Sequence, residues 1–242
     1  MNTIVAQADN LKKSFGTNDV LVDISLKLHQ AENLVIFGKS GSGKSVLIKC
    51  LAGLITPDEG TILLFGEDIA ALNDEALNKI RKRIGFLFQS AALYDSMTVA
   101  ENLAFPLRDQ TDKNRDELSQ QVLEVLTSVG LEEALNKMPS ELSGGMRKRV
   151  GLARSLMLRP EIILYDEPTT GLDPITSKEI SQLILDVQKK YNTAAIIITH
   201  DVECARITAN RMMAIKEGAT AAEGTFQELE NAADSWVKSF FK

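Results

Sequence analysis

The sequence predicts an α/β fold in which a mostly parallel sheet is flanked by helices. Short apolar runs typical of buried parallel strands alternate with segments of helical periodicity along the 242 residues. One run leads through a glycine-rich loop into a helix, and two later runs end in ionisable residues. In open α/β sheets ligands bind at the carboxyl ends of the strands, so we expect these features to converge on one site.

The predicted strands follow one another along most of the chain. They cover residues 4–11, 34–37, 84–88, 162–165 and 195–199. The segment before the last strand is a predicted helix, because helical spacing relates its residues Ile180, Leu183, Ile184, Val187 and Tyr191. Helices that connect successive strands in this way favour parallel pairing.

A helical stretch interrupts the alternation of strands and helices. One face of a predicted helix there carries the apolar residues Leu118, Val122, Val125, Leu126 and Val129. We therefore predict a single domain over residues 1–242, whose core comprises about 1–91 and 158–242. The inserted helical subdomain comprises about 92–157, and the charged segment 109–116 is expected to be a surface connection.

The glycine-rich loop has the composition of a phosphate-binding loop. It consists of Gly38, Lys39, Ser40, Gly41, Ser42, Gly43, Lys44 and Ser45. The glycines let the backbone turn its N–H groups toward phosphate oxygens, and the following helix N-terminus adds partial positive charge. Lys44 is expected to bridge β- and γ-phosphate oxygens, and Ser45 to ligate Mg²⁺. A flexible Gly/Ser turn is the alternative, but the strand before the loop and the helix after it favour a nucleotide site.

Two adjacent carboxylates end the fourth predicted strand. Asp166 and Glu167 point in different directions because side chains alternate along a strand, so they need not share one task. Asp166 suits the Mg²⁺ shell, since hard cations take oxygen ligands. Glu167 suits the group that orients and deprotonates an attacking water. A pair of solvated carboxylates would be the simpler interpretation if the upstream loop were absent.

One of the two histidines follows the last predicted strand. His200 therefore falls at the same sheet edge as the glycine loop, where it could donate a hydrogen bond to a γ-phosphate. A lone histidine is more often a structural hydrogen-bonding residue. His29, the other histidine, has no such context and is expected to lie at the surface.

A second glycine motif precedes a predicted helix. Ser143 can cap that helix, whose apolar residues at helical spacing are Met146, Val150, Ala153 and Met157. Gly144 and Gly145 would leave N–H groups open to close approach by an anion. The basic residues that follow, Arg147, Lys148 and Arg149, are expected to form a mostly solvated face.

The motif Leu142-Ser143-Gly144-Gly145-Met146, together with the upstream glycine loop, resembles the ATP-binding-cassette (ABC) ATPases, the motor subunits of membrane transporters. The resemblance covers nearly the whole chain. It implies a P-loop NTPase of the ABC type, with an antiparallel N-terminal β part, an inserted helical subdomain, and ATP and Mg²⁺ as cofactors. It also implies a dimer, because Ser143, Gly144 and Gly145 of one subunit would close over ATP held by the other. His200 corresponds to the family's switch histidine.

Three further residues match the ABC pattern, although each also has a simpler interpretation. Gln89 corresponds to the hinge glutamine that contacts Mg²⁺ and responds to the membrane partner, but it is also just a polar residue at a strand end. Asp173 belongs to a loop like the one that crosses the dimer, and before Pro174 it is equally a good helix N-cap. Phe15 matches the aromatic that stacks on adenine; alone, it would be assigned to the core.

Two segments resemble the ATPases of bacterial phospholipid transporters of the lipid-asymmetry and mammalian-cell-entry types. They are residues 92–102 and residues 142–150, and Met146 replaces a common glutamine in the second. This resemblance implies lipid as cargo, integral membrane permease subunits as partners, and lipid-carrier subunits as further partners.

Composition sets the remaining expectations. Lys and Arg number 27 against 33 Asp and Glu, for a net charge of −6, so no basic stripe of a nucleic-acid binder is expected. No apolar run approaches the roughly 18 residues of a membrane span, and the N-terminus lacks a signal-peptide core. We expect a cytoplasmic protein that lies on the inner membrane's cytoplasmic face through its permease. Cys50 and Cys204 are expected to be buried small hydrophobes.

Other functions keep the same site. An importer ATPase for another small solute would share every catalytic motif. A soluble ABC protein of DNA repair or translation usually has two cassettes or large insertions, whereas each motif occurs here once. A catalytically dead regulatory module would lose the base, whereas Glu167 and His200 are both present.

Overall fold

A computed structural model describes residues 3–108 and 114–241 of the chain. The predicted surface connection 109–116 therefore lies mostly outside the described residues. The described strands are β1 (Ile4–Phe15), β2 (Asn18–His29), β3 (Asn33–Phe37), β4 (Glu59–Leu64), β5 (Glu67–Asp68), β6 (Ile84–Leu87), β7 (Ile162–Asp166), β8 (Ala194–Ile198), β9 (Arg211–Lys216) and β10 (Ala219–Gly224).

Helices connect most of these strands. The α-helices are α1 (Lys44–Leu51), α2 (Asp74–Arg81), α3 (Val99–Ala104), α4 (Arg115–Ser128), α5 (Gly144–Leu156), α6 (Pro174–Tyr191), α7 (Val202–Thr208), α8 (Phe226–Glu230) and α9 (Ser235–Lys238). Short 3-10 helices cover Phe105–Leu107, Glu132–Ala134, Pro139–Glu141 and Ser239–Phe241. None of the helices in the described part of the chain is long and apolar enough to cross a bilayer.

The ten described strands belong to one sheet in the order β5-β4-β1-β2-β10-β9-β3-β8-β7-β6. Strands β9, β3, β8, β7 and β6 pair in parallel, whereas β1 pairs antiparallel with β2 and β4. The predicted α/β fold, with a parallel core and an antiparallel N-terminal part, is confirmed. The pattern did not predict β2, β4, β5, β9 or β10. β10 consists of small and polar residues without an apolar run, and it forms a strand by pairing with β9.

The core strands are mostly apolar because helices cover both faces of the parallel part of the sheet. Every residue of β3, β7 and β8 is buried. One hydrophobic cluster joins one face of this sheet to the helices between Val99 and Leu156, so the inserted helices pack directly on the core. The proposed subdomain boundaries at residues 92 and 157 stay a prediction.

The C-terminal segment packs on its own chain. Val237 is fully buried, and the rings of Phe240 and Phe241 meet the Phe37 ring edge-on at centroid distances of 5.1 and 5.7 Å. Phe37 is the last residue of β3 and directly precedes the glycine loop. The tail therefore supports the strand from which that loop emerges.

Candidate nucleotide site

The glycine loop joins β3 to α1, as predicted. Gly41 and Gly43 have φ of 80° and 96°, in the left-handed region that favours glycine. A Cβ on Gly43 would lie 2.6 Å from the Val20 carbonyl oxygen, so no larger residue fits there. The first turn of α1 has no side-chain cap, which leaves its N–H groups to an external acceptor. Among the described residues, the buried Ser42 Oγ also has no hydrogen-bond partner, and together these donors suit an anion.

Lys44 is folded back on this loop. Its Nζ donates to the carbonyl oxygens of Gly38 at 2.8 Å and Lys39 at 3.0 Å, and the residue is only 8% exposed. Burial lowers the pKa of Lys44, against the opposing effect of the nearby Glu167 and Asp166 carboxylates. The ammonium group therefore lies inside the loop, where it can exchange carbonyl acceptors for phosphate oxygens.

Ser45 and Asp166 meet beside the loop. The Ser45 Oγ donates to Asp166 Oδ1 at 3.3 Å. Burial raises the pKa of Asp166, the Ser45 hydrogen bond opposes this, and the neighbouring Glu167 raises it further. A carboxylate and a hydroxyl in contact are the oxygen donors that suit Mg²⁺, which otherwise keeps water and phosphate ligands. The residues present thus fit the metal implied by the fold.

Glu167 and His200 form a pair at the sheet edge. His200 Nδ1 lies 2.8 Å from Glu167 Oε2, and the Thr170 hydroxyl donates to the same oxygen at 3.1 Å. Glu167 has a left-handed backbone with φ of 51°, which directs its side chain away from the continuation of β7. The sequence did not suggest Thr170 or the direct pairing of Glu167 with His200. Both depend on loops that only the sheet brings together.

A cleft of about 670 Å³ lies over these groups. Its wall combines the glycine loop and the start of α1 with residues from five other parts of the chain. The lining residues are Asn18, Val20, Gly38, Lys39, Ser40, Gly41, Gly43, Lys44, Ser45, Val46, Gln89, Glu167, Thr170, His200 and Phe240. The predicted convergence of the loop, Glu167 and His200 is therefore observed, and Asp166 joins them through its contact with Ser45. Gln89, assigned separately from the family resemblance, also lines the cleft, whereas Asn18, Val20 and Phe240 were not predicted.

The second glycine motif lies elsewhere. Within the described residues, Ser143, Gly144 and Gly145 are not part of the lining of this cleft. Ser143 caps α5 by accepting from the Met146 N–H at 3.2 Å, which confirms its predicted local role. A Cβ on Gly145 would lie 2.6 Å from Thr176 Cγ2, so the motif packs tightly on the start of α6.

Among the described residues, Asp173 and Phe15 are not part of the cleft lining. Asp173 caps α6 by accepting from the N–H groups of Ile175 and Thr176, both at 3.0 Å, as its simpler interpretation predicts. Phe15 is 50% exposed at the end of β1, so it is not a core aromatic. It pairs across the hairpin with Asn18, which lines the cleft. An exposed ring beside a nucleotide cleft keeps the predicted stacking role available.

The expected solvated basic face is wrong for one residue. Arg147 is exposed, but Lys148 is only 5% exposed and donates to two backbone carbonyl oxygens. Its position in α5 points it into the molecule because the helix packs on β6, a contact that the sequence alone does not reveal.

Comparison with known proteins places the chain among transporter ATPases. It matches the family model described as ABC transporter over residues 21–170. The probable ribonucleotide transport ATP-binding protein mkl of Mycobacterium leprae is 44% identical over 209 residues, covering 86% of this chain but 60% of the relative. The chain thus spans less than two thirds of that relative's length. The intermembrane phospholipid transport system ATP-binding protein MlaF of Haemophilus influenzae is 38% identical and covers 100% of this chain and 92% of the relative.

A solved structure agrees with the fold. The dimeric ATP-binding cassette MJ0796, in a post-hydrolysis state with ADP and Pi, superimposes with a TM-score of 0.83 at 32% identity. The match covers 91% of this chain and 98% of that one.

Proposed function

Because the chain belongs to the ABC transporter family, we propose that it is the ATP-binding and ATP-hydrolysing subunit of a transporter that moves lipid through a separate membrane permease. Phospholipid is the favoured cargo. The observation that carries the ATPase assignment is the Glu167 carboxylate, held by His200 and Thr170 beside the glycine loop.

Each polar group at the cleft has a task in this proposal. The loop N–H groups and Lys44 bind the phosphates, and Glu167 orients and deprotonates the attacking water. His200, which contacts Glu167 and lines the cleft, would fix the Glu167 carboxylate and donate a hydrogen bond to the γ-phosphate. Ser45, Asp166 and Gln89 would hold Mg²⁺, which supplies positive charge to the β- and γ-phosphate oxygens.

The proposed working unit is a dimer. Ser143, Gly144 and Gly145 lie outside the cleft formed by their own chain, which supports their action on ATP held by a second copy. Asp173 would contribute at the same interface. The dimeric state of the cassette MJ0796 supports this arrangement. Closure around ATP and reopening after hydrolysis would then drive the permease through the loop that follows Gln89.

The motor assignment is tested by ATP hydrolysis with and without Mg²⁺. Glu167→Gln should bind ATP but lose about 10²- to 10⁴-fold in turnover, because the general base is gone. Lys44→Ala should weaken ATP binding. Glu124→Gln, on the exposed face of α4, is the matched control and should hydrolyse ATP normally. Full activity of Glu167→Gln, or activity unaffected by chelation of Mg²⁺, would contradict the assignment.

The lipid assignment rests on the relative named for phospholipid transport, which matches the chain over its whole length. A second candidate cargo is another small solute, because the relative named for ribonucleotide transport is also similar. Co-purification from native membranes should yield a multi-pass permease. The reconstituted complex should move labelled phospholipid between membranes and should not accumulate ribonucleotides. Transport of ribonucleotides without movement of phospholipid would contradict the lipid assignment but not the ATPase assignment.

The coupling surface can be tested in the same complex. Ala92 is exposed and has a left-handed backbone, which aspartate tolerates better than most residues. Ala92→Asp should keep ATPase activity in the isolated subunit but change the activity when the permease is bound. Gln120→Asp on the exposed part of α4 is the control. Equal behaviour of the two variants in the complex would exclude this contact.

A further inference from the structure

Lys148 is a buried cation in the second turn of α5. It is 5% exposed, and its Nζ donates to the carbonyl oxygen of Gln89 at 2.6 Å and to that of Glu167 at 3.0 Å. These carbonyls lie just beyond the ends of β6 and β7, two neighbouring parallel strands. One side chain thus ties the helix that begins with the Ser143 motif to both loops at the sheet edge.

Burying this charge is unfavourable unless it is well solvated by protein groups. Burial lowers the pKa of Lys148, while the Asp166 and Glu167 carboxylates oppose that shift. Hydrogen bonds from a charged donor are stronger than neutral ones, and an ammonium group can satisfy both carbonyls at once. An exposed lysine would donate mainly to water, so the burial of Lys148 against two carbonyl oxygens indicates a specific role.

The bond to Glu167 acts on a backbone that requires support. A φ of 51° is uncommon for a residue with a Cβ, and the neighbouring structure has to hold it. The Glu167 N–H donates to the Ile198 carbonyl oxygen at 2.9 Å, and Lys148 holds the carbonyl on the other side. Together these two bonds fix both peptide groups of the residue, and hence the direction of its carboxylate.

The other end of the same helix holds the loop after Gln89. Ala91 and Ala92 also have left-handed backbones, with φ of 61° and 48°. Arg154 donates to their carbonyl oxygens at 3.0 and 2.7 Å. Arg154 donates to that loop, whereas Lys148 donates both to Gln89 and to Glu167. A substitution of Arg154 therefore tests the effect on the loop separately from the effect on Glu167.

We propose that Lys148 is a positioning residue that orients the Glu167 carboxylate toward the water that attacks ATP and couples Glu167 to the loop at Gln89. This inference rests on the proposed ATPase function. When the Ser143 motif at the start of α5 binds ATP on a second subunit, a shift of the helix would move Lys148 and thereby the peptide groups of Gln89 and Glu167. Hydrolysis and the permease-facing loop then respond to the same movement.

Lys148→Met keeps the length and the buried stem but removes the donors. It should lower kcat about 10- to 100-fold, because Glu167 is no longer held in place. The KM for ATP and the affinity for a single nucleotide should stay within about 3-fold, because Lys148 does not line the cleft in the described structure. Lys148→Arg, which keeps charge and donors, should recover part of kcat.

Two variants serve as comparisons. Lys79→Met changes a lysine whose side chain is 74% exposed, and it should match the wild-type enzyme. Arg154→Met releases only the loop after Gln89, so it should alter stimulation by the permease more than basal kcat. Thermal unfolding of each variant identifies any general loss of structure.

Backbone hydrogen exchange in the nucleotide-free protein gives a readout that needs no ATPase activity. Lys148→Met should speed exchange in peptides covering residues 88–93 and 164–172, because Thr170 N–H donates to the carbonyl that Lys148 holds. Lys148→Arg should restore protection.

The proposal would be overturned if Lys148→Met kept wild-type kcat and unchanged exchange, or if it raised KM while kcat stayed normal. An inactive wild-type protein would refute the ATPase function, whereas exchange at both loops would still decide whether Lys148 ties them.

Discussion

Arg211 illustrates how one residue joins separate parts of the sheet. It donates to Glu32, to Glu223 and to the Lys27 carbonyl oxygen, and so connects β9 to β10, to β2 and to the turn after β2. Glu32 is largely buried, at 13% side-chain exposure. Burial alone would raise its pKa, but hydrogen bonds from Arg211 and His29 outweigh this effect and hold the pKa of Glu32 below 4.5.

The first prediction concerns the pH dependence of this ion pair. Because the folded protein favours ionised Glu32, its contribution is complete above the ordinary value of 4.5 and is lost as pH falls through the lower folded value. Glu32→Gln should cost about 1–3 kcal/mol in unfolding free energy at pH 7. The difference from wild type, measured by urea unfolding, should shrink below pH 4.5. A difference independent of pH would contradict the direction of the shift.

A control for this experiment is available in the exposed pair of Lys12 and Glu59. The Glu59 side chain is 66% exposed, so solvent screens the pair. Glu59→Gln should leave stability nearly unchanged at either pH.

At the scale of elements, α5 is the helix on which the site depends most. Its first residues form the Ser143 motif, its second turn carries Lys148, and its last turn carries Arg154. The helix also lies against β6, where a Cβ on Gly151 would come within 2.8 Å of Leu87 Cδ1. A helix packed so closely on the sheet moves as a rigid unit, which suits the transmission of a signal from one end to the other.

The second prediction separates the capping role of Ser143 from its proposed role at a second subunit. Ser143→Ala removes the cap and should cost about 1 kcal/mol in stability. Ser143→Arg should in addition abolish turnover and ATP-induced dimerisation, because a long side chain blocks close approach. Single-nucleotide binding should remain near normal in both. Equilibrium sedimentation with ATP, alongside ATPase assays, gives the measurement.

The proposed role of Ser143 at a second subunit can be contradicted by measuring how the ATPase rate of the wild-type enzyme depends on protein concentration. A rate per subunit that stays constant on dilution, from a chain that remains monomeric, would mean that one chain forms a complete site. The Ser143 motif would then have only its local role as a helix start.

At the scale of the whole molecule, the C-terminal tail closes the fold onto the site. The rings of Trp236, Phe226 and Phe37 surround Phe240 and Phe241 in edge-on contacts. Phe240 also lines the nucleotide cleft. The tail therefore packs on its own chain, and Phe240 brings it against the glycine loop.

The third prediction measures that connection by a double-mutant cycle. Phe37→Ala should cost about 3–5 kcal/mol, because Phe37 is 4% exposed. Combined with Phe240→Ala, the loss should be less than additive by about 0.5–1.5 kcal/mol, the coupling expected of an aromatic pair. Unfolding at several protein concentrations checks where the tail binds. Zero coupling, or coupling that appears only at high concentration, would contradict packing on the same chain.

Local pattern determined most of the parallel core strands and the main polar groups of the site. Apolar runs predicted the core strands, and the glycine loop between a strand and a helix predicted the phosphate cradle. The two cap residues Ser143 and Asp173 were also predictable, because capping depends on residues within one turn. These features are encoded by near neighbours in the chain, and so they can be read without knowing the fold.

Tertiary structure alone decided how those pieces act together. The pairing of Glu167 with His200, the burial of Lys148 and the place of Phe240 in the cleft each join segments far apart in sequence. The small and polar residues of β10 likewise form a strand because β9 supplies their hydrogen bonds. From the sequence, Lys148 is expected to be solvated because it follows a glycine motif among other basic residues. It is buried because its helix packs on β6, and such long-range packing cannot be inferred from sequence periodicity.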